Sequence, residues 1–289
     1  MKGQIRQSLS GYYDVAAEDG NEYRTRARGV FRKNKQSPLV GDNVEFKIEH
    51  GDGYLLRIEP RKNQLVRPPV ANIDAAIVVS ACVEPDFSSN LLDRQLVMLE
   101  AKNIQPLLYF SKADLMNNVQ QEQLTPIIQY YQHYYPTENN QTANAAEKLL
   151  TNQDGALLVV MGQTGAGKST LLNSLSPELN LETGEISRAL SRGKHTTRKI
   201  TLIPIGNNLI ADTPGFSSFD LLDITKEELP NYFPDFVEYR DQCKYRGCLH
   251  VNEPHCAVKE AVAERKILQS RYDNYLQFHQ MILQQKPKY

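Results

Sequence analysis

The chain has 289 residues, of which 40% are hydrophobic and 23% are charged, and its formal net charge is −1. This is an ordinary soluble globular composition, long enough for roughly two or three domains. The near-zero charge excludes a general attraction to nucleic acid, so any basic surface must be local.

The positive charge is concentrated at the start of the chain. Residues 1–70 carry thirteen Lys and Arg against nine Asp and Glu, a net charge of +4, which leaves −5 for the remainder. The segment Met1–Gln7 is polar and lacks the apolar part of a signal peptide, and the apolar run Ala75–Val79 is far too short to span a bilayer. We therefore expect a cytoplasmic protein with no membrane association.

The first seventy residues predict a small barrel. Turn signals such as Asp19-Gly20 separate segments with strand-like alternation. The predicted strands are Gly3–Ser10, Tyr12–Ala16, Glu22–Arg28, Val44–Glu49 and Gly53–Ile58. Such short strands suit a closed or nearly closed barrel, and the OB-fold is the commonest one with a basic face. The Pro-rich segment Leu65–Val70 predicts an extended linker after the barrel.

Basic residues cluster on the third predicted strand and just after it. They are Arg24, Arg26, Arg28, Arg32, Lys33 and Lys35. They interleave with Tyr23 and Phe31, so they could follow a phosphate backbone while the rings stack on bases. A solvated charged strand is the competing interpretation, and both fit the stretch itself.

From residue 73 the pattern changes to alternating strands and helices. Ile73–Ser80 predicts a buried strand, Ser89 or Asn90 is expected to cap the following helix, and Gln105–Phe110 predicts the next strand. This alternation is typical of a parallel sheet covered by helices, with ligand chemistry at the carboxyl ends of the strands.

The four residues after the second of these strands, Ser111, Lys112, Ala113 and Asp114, resemble the guanine-specificity motif of GTPases, Asn-Lys-x-Asp. In that motif the aspartate accepts hydrogen bonds from guanine N1–H and the 2-amino group, which adenine cannot offer. A surface turn is the competing interpretation, but the position at a strand's carboxyl end favours nucleotide binding. Ser111 lacks the amide that braces the loop, so we expect a modest affinity.

The most specific motif lies in the middle of the chain, after the apolar run Ala156–Met161 and before a helix-like run. It fits G-x-x-x-x-G-K-[ST], and its residues are Gly162, Gln163, Thr164, Gly165, Ala166, Gly167, Lys168, Ser169 and Thr170. The glycines let successive N–H groups face inward and, with the following helix, form an anion cradle. Lys168 would reach the β- and γ-phosphates and Ser169 would ligate Mg²⁺. A Gly-rich turn without a ligand is disfavoured by the flanking strand and helix.

Two later segments fit the switches of GTPases. Either Thr196 or Thr197 is expected to close on Mg²⁺ when GTP is bound, while Asp212 fits the aspartate that holds Mg²⁺ and Gly215 the γ-phosphate contact. In most GTPases these motifs precede the guanine motif, whereas here they follow it. The order therefore predicts a circularly permuted GTPase domain, which keeps the same packed sheet.

Three of the four cysteines cluster late in the chain. Cys243, Cys248, His250 and Cys256 lie within fourteen residues and form the ligand set of a closed structural zinc site. Thiolates select Zn²⁺ over Mg²⁺ or Ca²⁺. His255 is a rival fourth ligand because it adjoins Cys256. One helix is predicted from about Ala257, with a stripe of large side chains on one face. Packing on the protein is the favoured interpretation of this stripe, and binding of a partner is the competing one.

The barrel, the permuted motif order and the cysteine cluster together resemble the bacterial small ribosomal subunit biogenesis GTPase A (RsgA) family, over essentially the whole chain. The resemblance implies a multidomain α/β protein: an OB-fold β-barrel (1–68), a circularly permuted P-loop GTPase domain (69–220) and a C-terminal helical zinc-binding domain (221–289). It implies GTP/GDP, Mg²⁺ and one structural Zn²⁺ as cofactors, and it favours His250 over His255. It also implies action late in 30S subunit maturation, with 16S rRNA contact and subunit-stimulated GTP hydrolysis. We expect a monomer.

The residue that positions the attacking water differs from that of Ras-like enzymes. Phe216 and its neighbours stand where those enzymes have a glutamine, so we hypothesise that His195, beside the switch threonines, orients the water. A solvated loop histidine is the competing interpretation. The missing glutamine also predicts slow turnover without the subunit, because catalysis here is mostly positioning and electrostatics.

Two other functions remain open from the sequence. One is a P-loop kinase or ATPase acting on a small metabolite, and Asp114 argues against it because it selects guanine. The other is an RNA-binding assembly factor that uses guanine nucleotide mainly as a conformational ligand. The intact set of Lys168, Ser169 and Asp212 argues against that.

Overall fold

The computed structural model describes residues 1–33, 36–179, 200–212 and 224–285. These residues divide into two compact units, one drawn from Met1–Ile77 and Ala146–Phe216, the other from Val78–Ala145 and Ser217–Tyr289. Among the helices of the described ranges, none has both the length and the apolar character that crossing a membrane requires.

The described secondary structure begins with strands and then alternates between strands and helices. The strands are β1 (Lys2–Leu9), β2 (Tyr12–Ala17), β3 (Glu22–Ala27), β4 (Asn43–Glu49), β5 (Asp52–Ile58), β6 (Gln64–Val66), β7 (Pro69–Ala71), β8 (Ala75–Ala81), β9 (Gln105–Ser111), β10 (Thr137–Asn139), β11 (Leu157–Gly162), β12 (Ile200–Ile205) and β13 (Asn208–Asp212). The helices are α1 (Gly29–Lys33), α2 (Ser89–Ala101), α3 (Asn118–Tyr134), α4 (Ala145–Leu150), α5 (Lys168–Leu175), α6 (Pro234–Arg240), α7 (Ala257–Ala263) and α8 (Gln269–Leu283).

The strands β1 to β5 of the first unit close into a barrel. Pairing runs β1–β2–β3–β5–β4 and returns from β4 to β1, with β3 and β5 parallel and the other pairs antiparallel. Inward-facing Ile5, Val15, Phe46 and Leu55 are fully buried, as strand alternation predicts. The closure confirms the predicted OB-like barrel, and every predicted strand end lies within one residue of the observed one.

A glycine permits the parallel pairing that closes the barrel. A Cβ built on Gly53 would lie 2.4 Å from the carbonyl oxygen of Arg24, closer than real Cβ atoms approach. Because β3 and β5 pair through Thr25 and Gly53, any larger residue here would push the two strands apart.

The predicted linker Leu65–Val70 is instead part of an antiparallel hairpin, so this expectation is wrong. β6 pairs with β7 through Leu65 and Val70, and both side chains are buried. The two prolines lie at the turn and at the first residue of β7, positions that need no ladder N–H from them. Burial of the cross-strand pair Leu65 and Val70 therefore decides the local structure.

The remaining strands of the first unit extend the barrel. β12 pairs antiparallel with β1, with Gln7 opposite Thr201, and on its other side it pairs antiparallel with β13. β13 in turn runs parallel to β11, with Val159 opposite Ala211. The strand that leads into the phosphate motif is thus connected to the barrel by continuous main-chain pairing.

In the second unit, β9 runs parallel to β10, with Thr137 opposite Leu108. Helix α2 begins at Ser89, and Ser88 is its cap: the extended backbone of Ser88 lets its hydroxyl accept a hydrogen bond from Leu91 N–H at 3.2 Å. The predicted cap at Ser89 or Asn90 was therefore wrong by one or two residues. Helix α3 opens with a reciprocal capping box between Asn117 and Gln120.

The C-terminal helices of the second unit pack around an aromatic core. Phe233, Phe236, Tyr275 and Phe278 are all fully buried there. The single helix predicted from Ala257 is in fact two helices, α7 and α8. The chain turns between them at Arg265, whose φ is 62°, and this break buries Ile267 completely. The stripe on α8 packs on the protein, as predicted.

A buried ionic cluster joins four helices of the second unit. Arg271 on α8 donates to Asp93 on α2 at 2.5 Å and to Asp235 on α6 at 2.8 Å. On α3, Tyr131 donates to Asp93 and Tyr130 to Asp235. Burial raises the pKa of Asp93 against the opposing effect of Arg271. The helices that follow β8 and β9 are thereby tied to those of the C-terminal region.

Candidate nucleotide, zinc and RNA-binding sites

The phosphate motif of the first unit forms a turn between the buried strand β11 and helix α5. Gly165 and Gly167 adopt φ values of 83° and 90°, which only glycine reaches without strain. Gly167 caps α5, and Ala166 between them is fully buried and donates to Gln163 O at 3.1 Å. Thr164 and Thr170 are exposed and Ser169 is half-buried. Loop N–H groups and the helix N-terminus thus form the arrangement that binds phosphate.

Lys168 crosses this loop. Its ammonium donates to the carbonyl oxygens of Gly162 at 2.9 Å and Gln163 at 2.8 Å. Burial lowers its pKa to about 8. A partly desolvated cation held at the loop by carbonyl oxygens is well placed to exchange them for phosphate oxygens.

The switch segments are only partly described. Because β11 and β13 are parallel, their carboxyl ends, Gly162 and Asp212, share one edge of the sheet. This main-chain position suits the Mg²⁺ aspartate, although the side chain of Asp212 lies outside the described part. His195, Thr196, Thr197 and Gly215 also lie outside the described residues.

The guanine-motif loop of the second unit follows β9. Ser111 is buried and its carbonyl accepts from Cys82 N–H at 2.9 Å. Lys112 has a left-handed backbone (φ 56°), and its ammonium donates to the carbonyl of Glu84. Ala113 is buried, while Asp114 is exposed at the start of a short 3₁₀ helix. The loop therefore presents one carboxylate to solvent on a fixed backbone.

Sequence reasoning missed two residues that hold this loop. Asn140 accepts from Ala113 N–H at 2.8 Å and donates to the Asp114 carboxylate. Gln141 donates to the carbonyl of Ala113 at 3.1 Å. Both follow β10, which lies beside β9, and a polar run after a strand of a parallel sheet was the signal that could have found them.

The four predicted zinc ligands come together in the second unit. The Sγ atoms of Cys243, Cys248 and Cys256 and a ring nitrogen of His250 all lie within 4.8 Å of one another. Tetrahedral Zn–S bonds of about 2.3 Å place two sulfurs about 3.8 Å apart, and Cys243 Sγ lies 3.9 Å from Cys256 Sγ. His250 Nδ1 lies 3.3 Å from Cys256 Sγ. The donor set and its spacing fit a structural zinc ion.

The surroundings of the cluster orient its histidine. Burial lowers the pKa of His250 to about 4, which keeps the imidazole in the neutral form that binds metal. Tyr272 donates to the carbonyl of His250 at 2.8 Å, and the carboxylate of Glu253 accepts from Leu249 and Val251 N–H at 2.9 Å each. The ring of the rival ligand His255 belongs to an exposed residue and is not in the group.

The predicted basic face of the barrel carries both charge and aromatic rings. Arg24 and Arg26 are exposed, and their guanidinium carbons lie 4.6 and 5.1 Å from the ring centre of Tyr12. Arg28 lies over Tyr54 at 5.6 Å and pairs with Glu49 at 3.1 Å. Lys33 is exposed, the side chain of Arg32 is not described, and Lys35 lies outside the described residues.

The aromatic partners on this face differ from those expected. Phe31 is buried, and Tyr23 packs on Phe46 with ring centres 5.4 Å apart. The reason is register: β2 pairs with β3 so that Tyr12 stands opposite Arg26. The rings beside the arginines are therefore Tyr12 and Tyr54, which come from neighbouring strands.

Family comparisons cover nearly the whole chain. The RsgA N-terminal domain model matches residues 2–55 and the RsgA GTPase model matches residues 58–222. The small ribosomal subunit biogenesis GTPase RsgA of Leuconostoc citreum is 55% identical over 100% of this chain and 97% of its own length. RsgA 1 of Lactiplantibacillus plantarum is 59% identical, covering 99% of this chain and 98% of that protein.

Two solved structures resemble this chain in both fold and sequence. The crystal structure described as YloQ, a circularly permuted GTPase, superposes with a TM-score of 0.80 at 39% identity, covering 100% of this chain and 96% of that one. YjeQ from Thermotoga maritima gives a TM-score of 0.82 at 31% identity, with 99% of each chain covered.

Proposed function

The chain belongs to the RsgA GTPase family, and from that membership we propose that it hydrolyses GTP to GDP and phosphate during maturation of the 30S ribosomal subunit. The single observation that carries the choice of nucleotide is the loop after β9, where the Asp114 carboxylate is exposed and held by Asn140. A carboxylate can accept two hydrogen bonds from guanine, and adenine offers no matching pair of donors.

We assign the nucleotide roles as follows. The loop amides and Lys168 bind the β- and γ-phosphates, and the Ser111–Asp114 loop binds the base. Mg²⁺ would be held by Ser169, Asp212 and either Thr196 or Thr197. When bound, the ion would neutralise the negative charge that develops on the phosphates. Gly215 would contact the γ-phosphate.

His195 is proposed to orient the attacking water when the chain is bound to the subunit. At physiological pH the unprotonated nitrogen of a neutral imidazole can accept a hydrogen bond from water. The variant His195→Ala, assayed with 30S subunits, should lose stimulated turnover while keeping its affinity for GTP. Full stimulated turnover in that variant would show that His195 is only a solvated loop residue.

We propose that Cys243, Cys248, His250 and Cys256 hold one structural Zn²⁺. Such a site leaves no open coordination position, so the metal would stabilise the loops between α6 and α7 without entering the reaction. Metal analysis of the purified chain should find about one zinc per chain, falling sharply in Cys256→Ser. A chain that folds fully without zinc would contradict this assignment.

We propose that the basic barrel face contacts 16S rRNA through Arg24, Arg26, Arg28, Arg32, Lys33 and Lys35. The guanidinium groups of Arg24 and Arg26 support this role, since both residues are exposed and both groups lie over the ring of Tyr12. Replacing Arg24 and Arg26 by Ala should weaken subunit binding and reduce its salt dependence. We further propose a cytoplasmic monomer with domains 1–68, 69–220 and 221–289.

The test of the whole proposal is turnover of GTP and ATP with and without purified 30S subunits. GTP should be hydrolysed slowly alone and much faster with subunits, whereas ATP should not respond. The Lys168→Ala protein, prepared in parallel, controls for contaminating hydrolases. ATP turnover that needs a small acceptor would indicate a kinase instead, and subunit binding without any turnover would indicate an assembly factor.

A further inference from the structure

A row of residues crosses five neighbouring strands of the first unit. Gln7 on β1 stands opposite Thr201 on β12 and, on its other side, opposite Asp14 on β2. Asp14 in turn stands opposite Arg24 on β3, and Thr201 stands opposite Asp212 on β13. Cross-strand partners place their side chains on one face of a sheet. This register puts the first four side chains of the row side by side, and Asp212 is located by its main chain.

The two ends of this cross-strand row belong to different proposed sites. Arg24 is exposed on the basic barrel face, with its guanidinium carbon 4.6 Å from the ring centre of Tyr12. Asp212 ends β13 beside the phosphate loop and is the predicted Mg²⁺ aspartate. Thr201 follows the predicted switch threonine Thr197 by four residues in the sequence. The row therefore leads from the proposed rRNA contact to the strands that carry the switches.

Gln7 holds the middle of the row with both ends of its amide. Its Nε2 donates to Oδ2 of Asp14 at 2.8 Å, and its Oε1 accepts from the hydroxyl of Thr201 at 3.3 Å. The orientation of the amide follows from chemistry, because an ionised carboxylate only accepts and must face the nitrogen. One side chain thus links a barrel strand to the start of β12.

This link lies where the pairing between the barrel and β12 is short. Within the described residues β1 and β12 pair at two positions, Gln7 with Thr201 and Ser8 with Ile200, whereas β12 pairs with β13 along nearly its whole length. A short pairing opens more easily than a long one. Gln7, Asp14 and Thr201 are all half-buried, which strengthens hydrogen bonds relative to exposed ones. The amide of Gln7 therefore contributes to holding the start of β12 on the barrel.

We propose that Gln7 is a positioning residue for subunit-stimulated GTP hydrolysis. Phosphates of rRNA that pair with Arg24 neutralise the cation opposite Asp14, whose carboxylate then accepts more strongly from Gln7. Because linked hydrogen bonds strengthen one another, the paired state of β1 and β12 is favoured. This fixes the main chain at Thr201 and, opposite it, at Asp212. The role rests on the proposed rRNA contact and the proposed GTPase function.

The experiment measures GTP turnover of the wild-type chain, Gln7→Leu and Thr201→Val, without 30S subunits and with saturating subunits. Gln7→Leu removes the amide at similar size, and Thr201→Val removes the hydroxyl but keeps the branched shape. Turnover without subunits and the dissociation constant of the subunit complex should stay at wild-type values. Turnover with saturating subunits should fall about threefold to thirtyfold, the range expected when a residue between two coupled sites is changed.

Two further comparisons test whether the row acts as one link. The double variant of Gln7→Leu with Thr201→Val should lose no more stimulation than Gln7→Leu alone, because both changes break the same hydrogen bond. Asp14→Ala should lose stimulation, whereas Asp14→Asn should keep part of it, since its amide oxygen can still accept from Gln7. Additive losses in the double variant, or full stimulation in Asp14→Ala, would contradict the link.

Tyr23→Phe is the matched control. It removes a hydroxyl that donates to Asp19 at 2.8 Å, a side-chain hydrogen bond of the same barrel that lies outside the row, and it should behave as wild type. Thermal unfolding of each variant shows whether it is folded. If Gln7→Leu does not fold, Thr201→Val still tests the same hydrogen bond.

Full stimulated turnover in both Gln7→Leu and Thr201→Val would overturn the proposal. An equal loss with and without subunits would overturn it as well, because the row would then only support the nucleotide site. A loss confined to subunit affinity would make Gln7 part of the docking surface instead, and a matching loss in Tyr23→Phe would show that the row is not special. If subunits do not stimulate the wild-type chain, the proposed function fails first, so the two failures are distinguishable.

Discussion

The phosphate loop and the guanine loop illustrate two ways of building a binding site. The phosphate loop consists of main-chain groups and one lysine from a single run of residues, and its shape is set by glycines at Gly165 and Gly167. The guanine loop relies on side chains, and its carboxylate at Asp114 is held by Asn140 from a different strand. The first kind of site follows from local sequence, whereas the second requires the sheet to form.

The largest expected effect is on the unit that carries the guanine loop. Arg271→Ala would leave the buried carboxylates of Asp93 and Asp235 without their shared cation, which costs about 3–5 kcal/mol of unfolding free energy. Chemical denaturation measures it. Lys266→Ala, which removes an exposed ion pair with Glu264 in the same unit, is the control and should change stability far less. Equal effects of the two variants would show that the buried cluster does not hold the helices of this unit.

The second effect breaks the phosphate loop alone. Lys168→Ala should lower the turnover of GTP by about 10²–10³, the usual consequence of removing one group that stabilises transition-state charge. GTP and ITP should lose turnover in the same proportion, because the lysine reads phosphate and not base. Steady-state kinetics with both nucleotides tests this. A change in the GTP-to-ITP ratio would mean that the two loops do not divide the recognition as described.

The smallest effect is a pH dependence of nucleotide affinity. Burial lowers the pKa of Lys168 to about 8 in the free protein, so the ammonium progressively loses its proton as the pH rises through that value. Phosphate binding favours the charged form of Lys168. The affinity for GDP should therefore be highest below pH 8 and should fall as the pH rises through that value, by at most about tenfold per pH unit. Titration calorimetry should also show proton uptake on binding above pH 8.

Lys168→Met gives the matched control for that titration. Its weaker binding should show no fall over the same pH range, because it has no titrating ammonium. A parallel fall in the variant and the wild type would assign the effect to another group.

The same contrast explains what the sequence predicts. The phosphate loop lies within one short run of residues, and so do the four zinc ligands. In each case the residue pattern alone indicates what the site binds. The barrel strands follow from alternation to within one residue. Asn140 was missed because only the parallel pairing of β9 with β10 brings it to Asp114. The aromatic partners of the barrel arginines were wrong for a similar reason, since strand register places Tyr12 opposite Arg26.

Two local errors have a different origin. The Pro-rich segment from Leu65 to Val70 was expected to be a linker, but burial of its two apolar side chains makes it a hairpin. The C-terminal helix was expected to be continuous, but a turn at Arg265 buries Ile267. In both places tertiary burial outweighs the local propensity from which the prediction was made.

The most direct test of the account replaces Asp114 and asks whether the preferred nucleotide base changes. Asparagine at position 114 would offer an N–H donor, which suits the 2-carbonyl of xanthine, where aspartate suits the 2-amino group of guanine. The wild-type chain should hydrolyse GTP in preference to XTP, and Asp114→Asn should prefer XTP, with 30S subunits stimulating both. An unchanged preference for GTP in Asp114→Asn would contradict the assignment of guanine recognition to this loop.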